Sequence, residues 1–158
     1  MADTLKKEEL MVLANRMIRL RYSIDSNHME KVFRDISIAD YVVLMRLSRK
    51  MGIHEPEAKV YLSDISKELE IPINRVSQMV QNLQNKGYVY WEHDAQGTYI
   101  YLSEIGSEAM EKQQTILSKF IKNVIDRMGW EEFVHVLDEM NELELIIAAE
   151  AENLSDGE

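Results

Sequence analysis

No cysteine occurs among the 158 residues, so a disulfide framework, a thiolate nucleophile or ligand and a thiol redox switch are all closed to this chain. Glycine and proline are scarce, six and two residues, which excludes collagen-like and linker-like sequences and argues against a turn-dense all-β fold. No apolar run exceeds a few residues, far short of the ~20 needed to cross a bilayer. The first residues, MADTLKKEELMVLANRM, lack the compact apolar stretch of a secretory signal or anchor. A soluble, cytoplasmic protein with no membrane partner is expected. Positive charge is short as well: 18 Lys and Arg face 28 Asp and Glu, a net charge of -10. Phosphate neutralisation needs cations, so this total speaks against a nucleic-acid partner at first sight. Its distribution qualifies that: residues 107–158 hold 4 basic and 13 acidic side chains, whereas 36–106 hold 7 and 9.

Recognisable catalytic frames are missing too. There is no Gly-rich phosphate loop, nucleophile elbow or framed pair of carboxylates. The four histidines, His28, His54, His93 and His135, show no ligand spacing. No enzyme activity, catalytic residue, metal or cofactor is therefore expected.

What is present is helical periodicity. The length suits one domain, and 46% of the residues are hydrophobic. Leu10, Leu13, Met17, Ile18 and Leu20 mark a long helix from Thr4 to about Arg34, capped by Asp3 or Thr4 and interrupted near Ser26-Asn27. A second helix starts near Ile38 with Tyr41, Val42, Leu44, Met45, Leu47 and Ser48 as its apolar face. It ends at Met51-Gly52, before a loop through Pro56 to Lys59. Ser63 precedes a short amphipathic helix closed by Glu70-Ile71-Pro72. The next helix, Ile73 to Lys86, turns Val76, Met79, Val80 and Leu83 inward. After Gly87 the period switches: Tyr88 to Glu92 and Tyr99 to Leu102 read as strands around a turn at Asp94 to Thr98. Two helices across a tight turn followed by a hairpin make a winged helix-turn-helix pattern. Ser103 caps a further helix of about six turns that breaks at Met128-Gly129. A last amphipathic helix follows, with a frayed tail expected after Glu152.

The chain resembles the MarR family at two motifs with the right separation. Leu83-Gln84-Asn85-Lys86-Gly87-Tyr88-Val89 matches its leucine, polar pair, Lys-Gly and first wing strand. Leu102-Ser103-Glu104-Ile105-Gly106 matches its Leu-Thr-x-x-Gly after the wing. The resemblance implies a mainly α fold with a small β-hairpin wing. Residues 36–106 would form the winged helix-turn-helix, with dimerisation helices in 1–35 and 107–158 integrated into one folded unit. It also implies a two-fold homodimer bound to a pseudo-palindromic operator in double-stranded DNA. Where the family wing commonly carries Asp-x-Arg, this chain reads Asp94-Ala95-Gln96, and no Lys or Arg occurs between Gly87 and Met110.

Candidate contacts follow from the helix faces. With its apolar set inward, the helix after Pro72 turns Asn74, Arg75, Ser77, Gln78, Gln81, Asn82 and Asn85 outward, and amides and guanidinium are the groups that read adenine and guanine edges. Ser63, through the helix N-terminus, and Lys67 are phosphate candidates; an ordinary cap is an equal and compatible role for Ser63. Gln96 is the wing candidate. Leu10, Leu13 and Met17 with Val134, Leu137, Leu143, Ile146 and Ile147 are the dimerisation candidates. The expected function is a sequence-specific transcriptional regulator controlled by a small organic effector. The competing class is a protein-interaction module that has lost strong DNA binding, motivated by the acidic total and the wing without Arg.

Overall fold

The computed structural model describes residues 6–51 and 59–157. In chain order these form α1 (Lys7–Tyr22), a π-helical stretch (Ser23–Met29), α2 (Glu30–Val32), α3 (Ile38–Met51), β1 (Val60–Tyr61) and α4 (Leu62–Leu69). After them come α5 (Ile73–Asn85), β2 (Val89–Asp94), β3 (Gly97–Leu102), α6 (Glu104–Met128) and α7 (Trp130–Asp156). By its internal contacts the chain divides into two units, Met1–Ile116 and Leu117–Glu158.

In the first unit, the interruption expected near Ser26-Asn27 takes the form of the π stretch around it. Ser, Asp and Asn compete with the helical backbone for hydrogen bonds, and such a segment widens more easily than an Ala- or Leu-rich one. The expected caps Asp3 and Thr4 lie outside the described residues. At the first described turn the Lys6 amide donates to Glu9 Oε2 at 2.8 Å.

Helix α3 is enclosed more fully than its predicted face implies. Val43 is as buried as Leu44 and Leu47, while Tyr41, Val42 and Met45 are half-buried. The reason is that the sheet also packs on this helix, through β3. The expected Gly52 cap and the loop through Pro56 fall outside the described residues.

Strand β1 has no counterpart among the sequence expectations, since two residues are too few for alternation to register. It pairs antiparallel with β3, Val60 opposite Ile100 and Tyr61 opposite Tyr99, giving the sheet order β1-β3-β2. Val60, Leu62, Ile65, Val76, Val80, Leu83, Val89, Ile100 and Met110 close one core with α3. Fully burying each of its larger side chains contributes about 1.5–3 kcal/mol.

The two motifs turn out to be one structural joint. At the end of α5 the Tyr88 amide donates to the Leu83 carbonyl at 3.0 Å and the Gly87 amide to the Gln84 carbonyl at 2.8 Å. Gly87 takes φ +77, which completes a Schellman cap. Ser103 Oγ donates to the Gly87 carbonyl and accepts from the Gly106 amide, so the cap of α6 is tied to the end of α5.

The second unit holds the rest of α6 and all of α7. The tail after Glu152, expected to fray, stays helical to Asp156. No residue of α7 is buried, and the same is true of α1 in the first unit.

Candidate nucleic-acid interface

Helix α4 ends where Glu70 adopts a left-handed conformation, φ 53, and Pro72 then stands as the N-cap of α5. This break sets α5 across α4, with Val76, Val80 and Leu83 buried and Met79 half-buried. The opposite face carries Asn74, Arg75, Gln78, Gln81, Asn82 and Asn85, all exposed, and Ser77, which is half-buried. Seven polar side chains on one side of a 13-residue helix are thus brought together as the sequence reading expected. Asn74 Oδ1 accepts the Arg75 amide at 2.9 Å, which engages Asn74 with the first turn of its own helix. Among the described residues no carboxylate lies within ion-pair distance of Arg75 or of the exposed Lys67.

Among the described side chains, the other cations of the winged region are paired. Arg46 pairs with Glu68, joining α3 to α4, and Lys86 Nζ lies 3.1 Å from Asp40 Oδ2, joining the end of α5 to the start of α3.

Ser63 needs correction. The N-cap of α4 is Tyr61, still extended because it pairs in the sheet, and Ser63 is the second residue inside the helix. The Tyr61 amide donates to Asp64 Oδ2 at 3.3 Å, so a carboxylate already sits at the positive end of the helix dipole.

The wing is tighter than expected. Its strands run to Asp94 and from Gly97, leaving Ala95 and Gln96 as a two-residue turn rather than the five residues from Asp94 to Thr98. Asp94 Oδ1 accepts the Gln96 amide at 2.8 Å, the side-chain-to-backbone bond that favours aspartate at such positions. Gln96 itself is exposed at the tip. Asp94 Oδ2 accepts from the Tyr61 hydroxyl at 2.7 Å and from Lys59 Nζ at 2.9 Å. These donors, the Tyr61 hydroxyl foremost, hold the Asp94 carboxyl at about 2. A stretch that lacks Lys and Arg in sequence therefore has a lysine at its tip in space, delivered by the segment just before β1. Lys59 was not among the expected site residues, and its partner is 35 positions away, a distance at which no local pattern registers.

Below the end of α5 a cleft of about 520 Å³ is lined by Lys86, Tyr88, Ile105, Lys112, Gln113 and Ile116, with Asp35 and Glu108 at its sides. Gln113 is buried, and its Nε2 donates to the Val32 carbonyl at 3.0 Å. Among the described residues no group of three or more His, Asp or Glu is placed to hold a metal ion.

An exposed polar helix behind a tight turn, backed by a three-stranded sheet ending in a hairpin, defines a winged helix-turn-helix chain. Solved structures share the arrangement. An E. coli MarR mutant complexed with operator DNA superposes with a TM-score of 0.69 at 14% identity, covering 88% of this chain and 99% of that one. The S. aureus MepR-DNA complex gives 0.63 at 20% identity, covering 85% and 96%. A MarR family protein from Bacillus stearothermophilus gives 0.63 at 16%, covering 91% and 99%. No family model matches the sequence, and no curated protein does. The fold is the winged-helix fold of the MarR-type structures.

Proposed function

We propose that this chain is a transcriptional regulator that binds double-stranded DNA sequence-specifically as a homodimer. The observation that carries the reading is the exposed amide-rich face of α5 with Arg75, which has no ion-pair partner among the described residues, set opposite a fully apolar face in the core. Asn and Gln side chains pair with adenine and Arg with guanine in the major groove, and a two-fold dimer presents two such helices to a pseudo-palindromic site. Two of the similar solved structures contain DNA, one of them operator DNA, which supports the same reading.

On α4 and α5, Lys67 and Arg75 have no ion-pair partner among the described residues and are the cations offered to phosphates beside the reading face, each contributing on the order of -0.9 in log K to the salt slope when it neutralises a phosphate. Selection from genomic DNA at low and moderate salt tests the function. A regulator enriches a few palindromic sites, and recovery of none overturns the reading in favour of an interaction module.

On the selected site, replacing Arg75 or Gln78 with Ala should weaken binding by about 1–3 kcal/mol each if both meet base edges. The measurement is titration at fixed salt, with the fold checked by circular dichroism; wild-type affinity in the folded double variant would remove α5 as the reader.

The wing offers a second expectation. Gln96 brings a hydrogen bond but no charge, and the nearby Lys59 is shared with Asp94. Gln96→Arg should strengthen binding to both specific and random DNA and add roughly one phosphate equivalent per subunit to the salt slope. An unchanged slope would mean the tip does not reach the duplex.

A small organic effector acting in the cleft below α5 is the proposed input. Lys86 lines that cleft while pairing with Asp40, so an acidic ligand there would compete for the tie between α5 and α3.

A further inference from the structure

The outer face of the wing sheet is aromatic and anionic, the reverse of what a phosphate backbone calls for. Strand alternation puts Tyr90, Glu92 and Asp94 of β2 on one face with Tyr99 and Tyr101 of β3, and Tyr61 of β1 beside Tyr99. That face has two halves of similar chemistry. In one, Asp94 and the Tyr99 ring hold a cation from the chain itself: Lys59 Nζ is 2.9 Å from Asp94 Oδ2 and 4.6 Å from the Tyr99 ring centroid. In the other, Glu92 stands beside Tyr90 and Tyr101, whose ring centroids are 5.4 Å apart. Among the described residues no cation lies within ion-pair distance of Glu92. Its oxygens accept from the Tyr99 hydroxyl at 2.6 Å and the Tyr101 hydroxyl at 3.0 Å, which fixes the carboxylate and keeps it ionised below the usual range. Tyr90 is 53% exposed, although its ring would gain from burial.

We propose that Tyr90, Glu92 and Tyr101 form a docking site for an arginine or lysine side chain of a partner protein, seated as Lys59 is seated in the neighbouring half. The charge argues for this occupant and against nucleic acid. A fixed carboxylate repels phosphate, whereas a guanidinium or ammonium gains both the ion pair and the face of a tyrosine ring. Lys59 is committed to Asp94, which leaves the Glu92 half for a cation from outside. The site lies on the sheet face of the wing and not on the outward face of α5.

The test uses the full chain and three probes at physiological salt: a tetra-arginine peptide, a tetra-lysine peptide and a thymidine decamer. Ring resonances of Tyr90 and Tyr101 and the Glu92 carboxyl are followed by NMR. The cationic peptides should shift these signals, arginine more than lysine, with binding about three-fold or more weaker in Glu92→Gln and in Tyr90→Leu. Tyr90 is solvent-exposed, so its variant carries the test should Glu92→Gln disturb the hairpin. The proposal is overturned if the peptides shift only the acidic helix α7, if both variants bind as the wild type does, or if the decamer shifts the tyrosines and the peptides do not.

Discussion

Gly106→Ala should destabilise the winged domain more than removal of the helix cap beside it. A Cβ built on Gly106 would meet the Tyr88 carbonyl oxygen at 2.0 Å and its carbon at 2.8 Å. Both are backbone atoms, so no rotamer change relieves the contact. The carbonyl is also fixed, because it accepts the Ser103 amide at 3.0 Å where β2 leaves α5. Relief requires the first turn of α6 to move off the sheet, which loosens the Ser103 bonds to Gly87 and Gly106 together. Overpacking typically costs about 1–3 kcal/mol, and a backbone obstacle belongs at the upper end. Ser103→Ala is the reference, since loss of a cap costs about 1 kcal/mol. Urea unfolding of both variants at equal protein concentration reads the difference. A Gly106→Ala midpoint equal to that of the wild type would show that the joint yields easily and that the close approach is not what requires glycine.

That joint shows why some of the fold was legible in sequence. Glycines at 87 and 106 and the serine at 103 each answer a local backbone demand, and the 3.6-residue periodicity of α5 is set by one buried face. Together they mark helix-turn-helix, wing and exit helix within a few residues. What stayed hidden depends on distant pairing. Strand β1 exists because β3 lies beside it, and that pairing keeps Tyr61 extended, makes it the cap of α4 and places Ser63 two positions inside the helix. The same pairing carries Lys59 to Asp94 and alters the electrostatics of a wing whose own residues hold no positive charge. The outward set of α5 was readable because exposure follows from the helical period. Which of those side chains meets a base depends on DNA geometry that periodicity does not contain.

Deleting residues 130–158 should leave a chain that sediments as a monomer or aggregates. In α1, Leu10, Leu13 and Met17 follow i, i+3, i+7 spacing yet are 46%, 55% and 44% exposed. In α7, Leu137, Leu143, Ile146 and Ile147 are between 44% and 61% exposed, and Val134 is half-buried. Neither helix buries a single residue within one copy of the chain. Apolar surface of that extent is not left in water by a stable monomer, and a helix gains most of its stability from packing one face. A second copy would supply matching faces, because in a two-fold contact each apolar stripe meets the symmetry-related surface. Removing α7 would take that surface away from both subunits. The acidic side chains of α7 make the direction of a salt effect testable as well. They repel across a dimer, so moderate salt should strengthen wild-type association while leaving the deleted chain monomeric. Sedimentation velocity over a range of protein and salt concentrations measures both effects. An unchanged dimer after the deletion would place the interface elsewhere, and a monomeric wild type at high concentration would remove the two-fold operator complex.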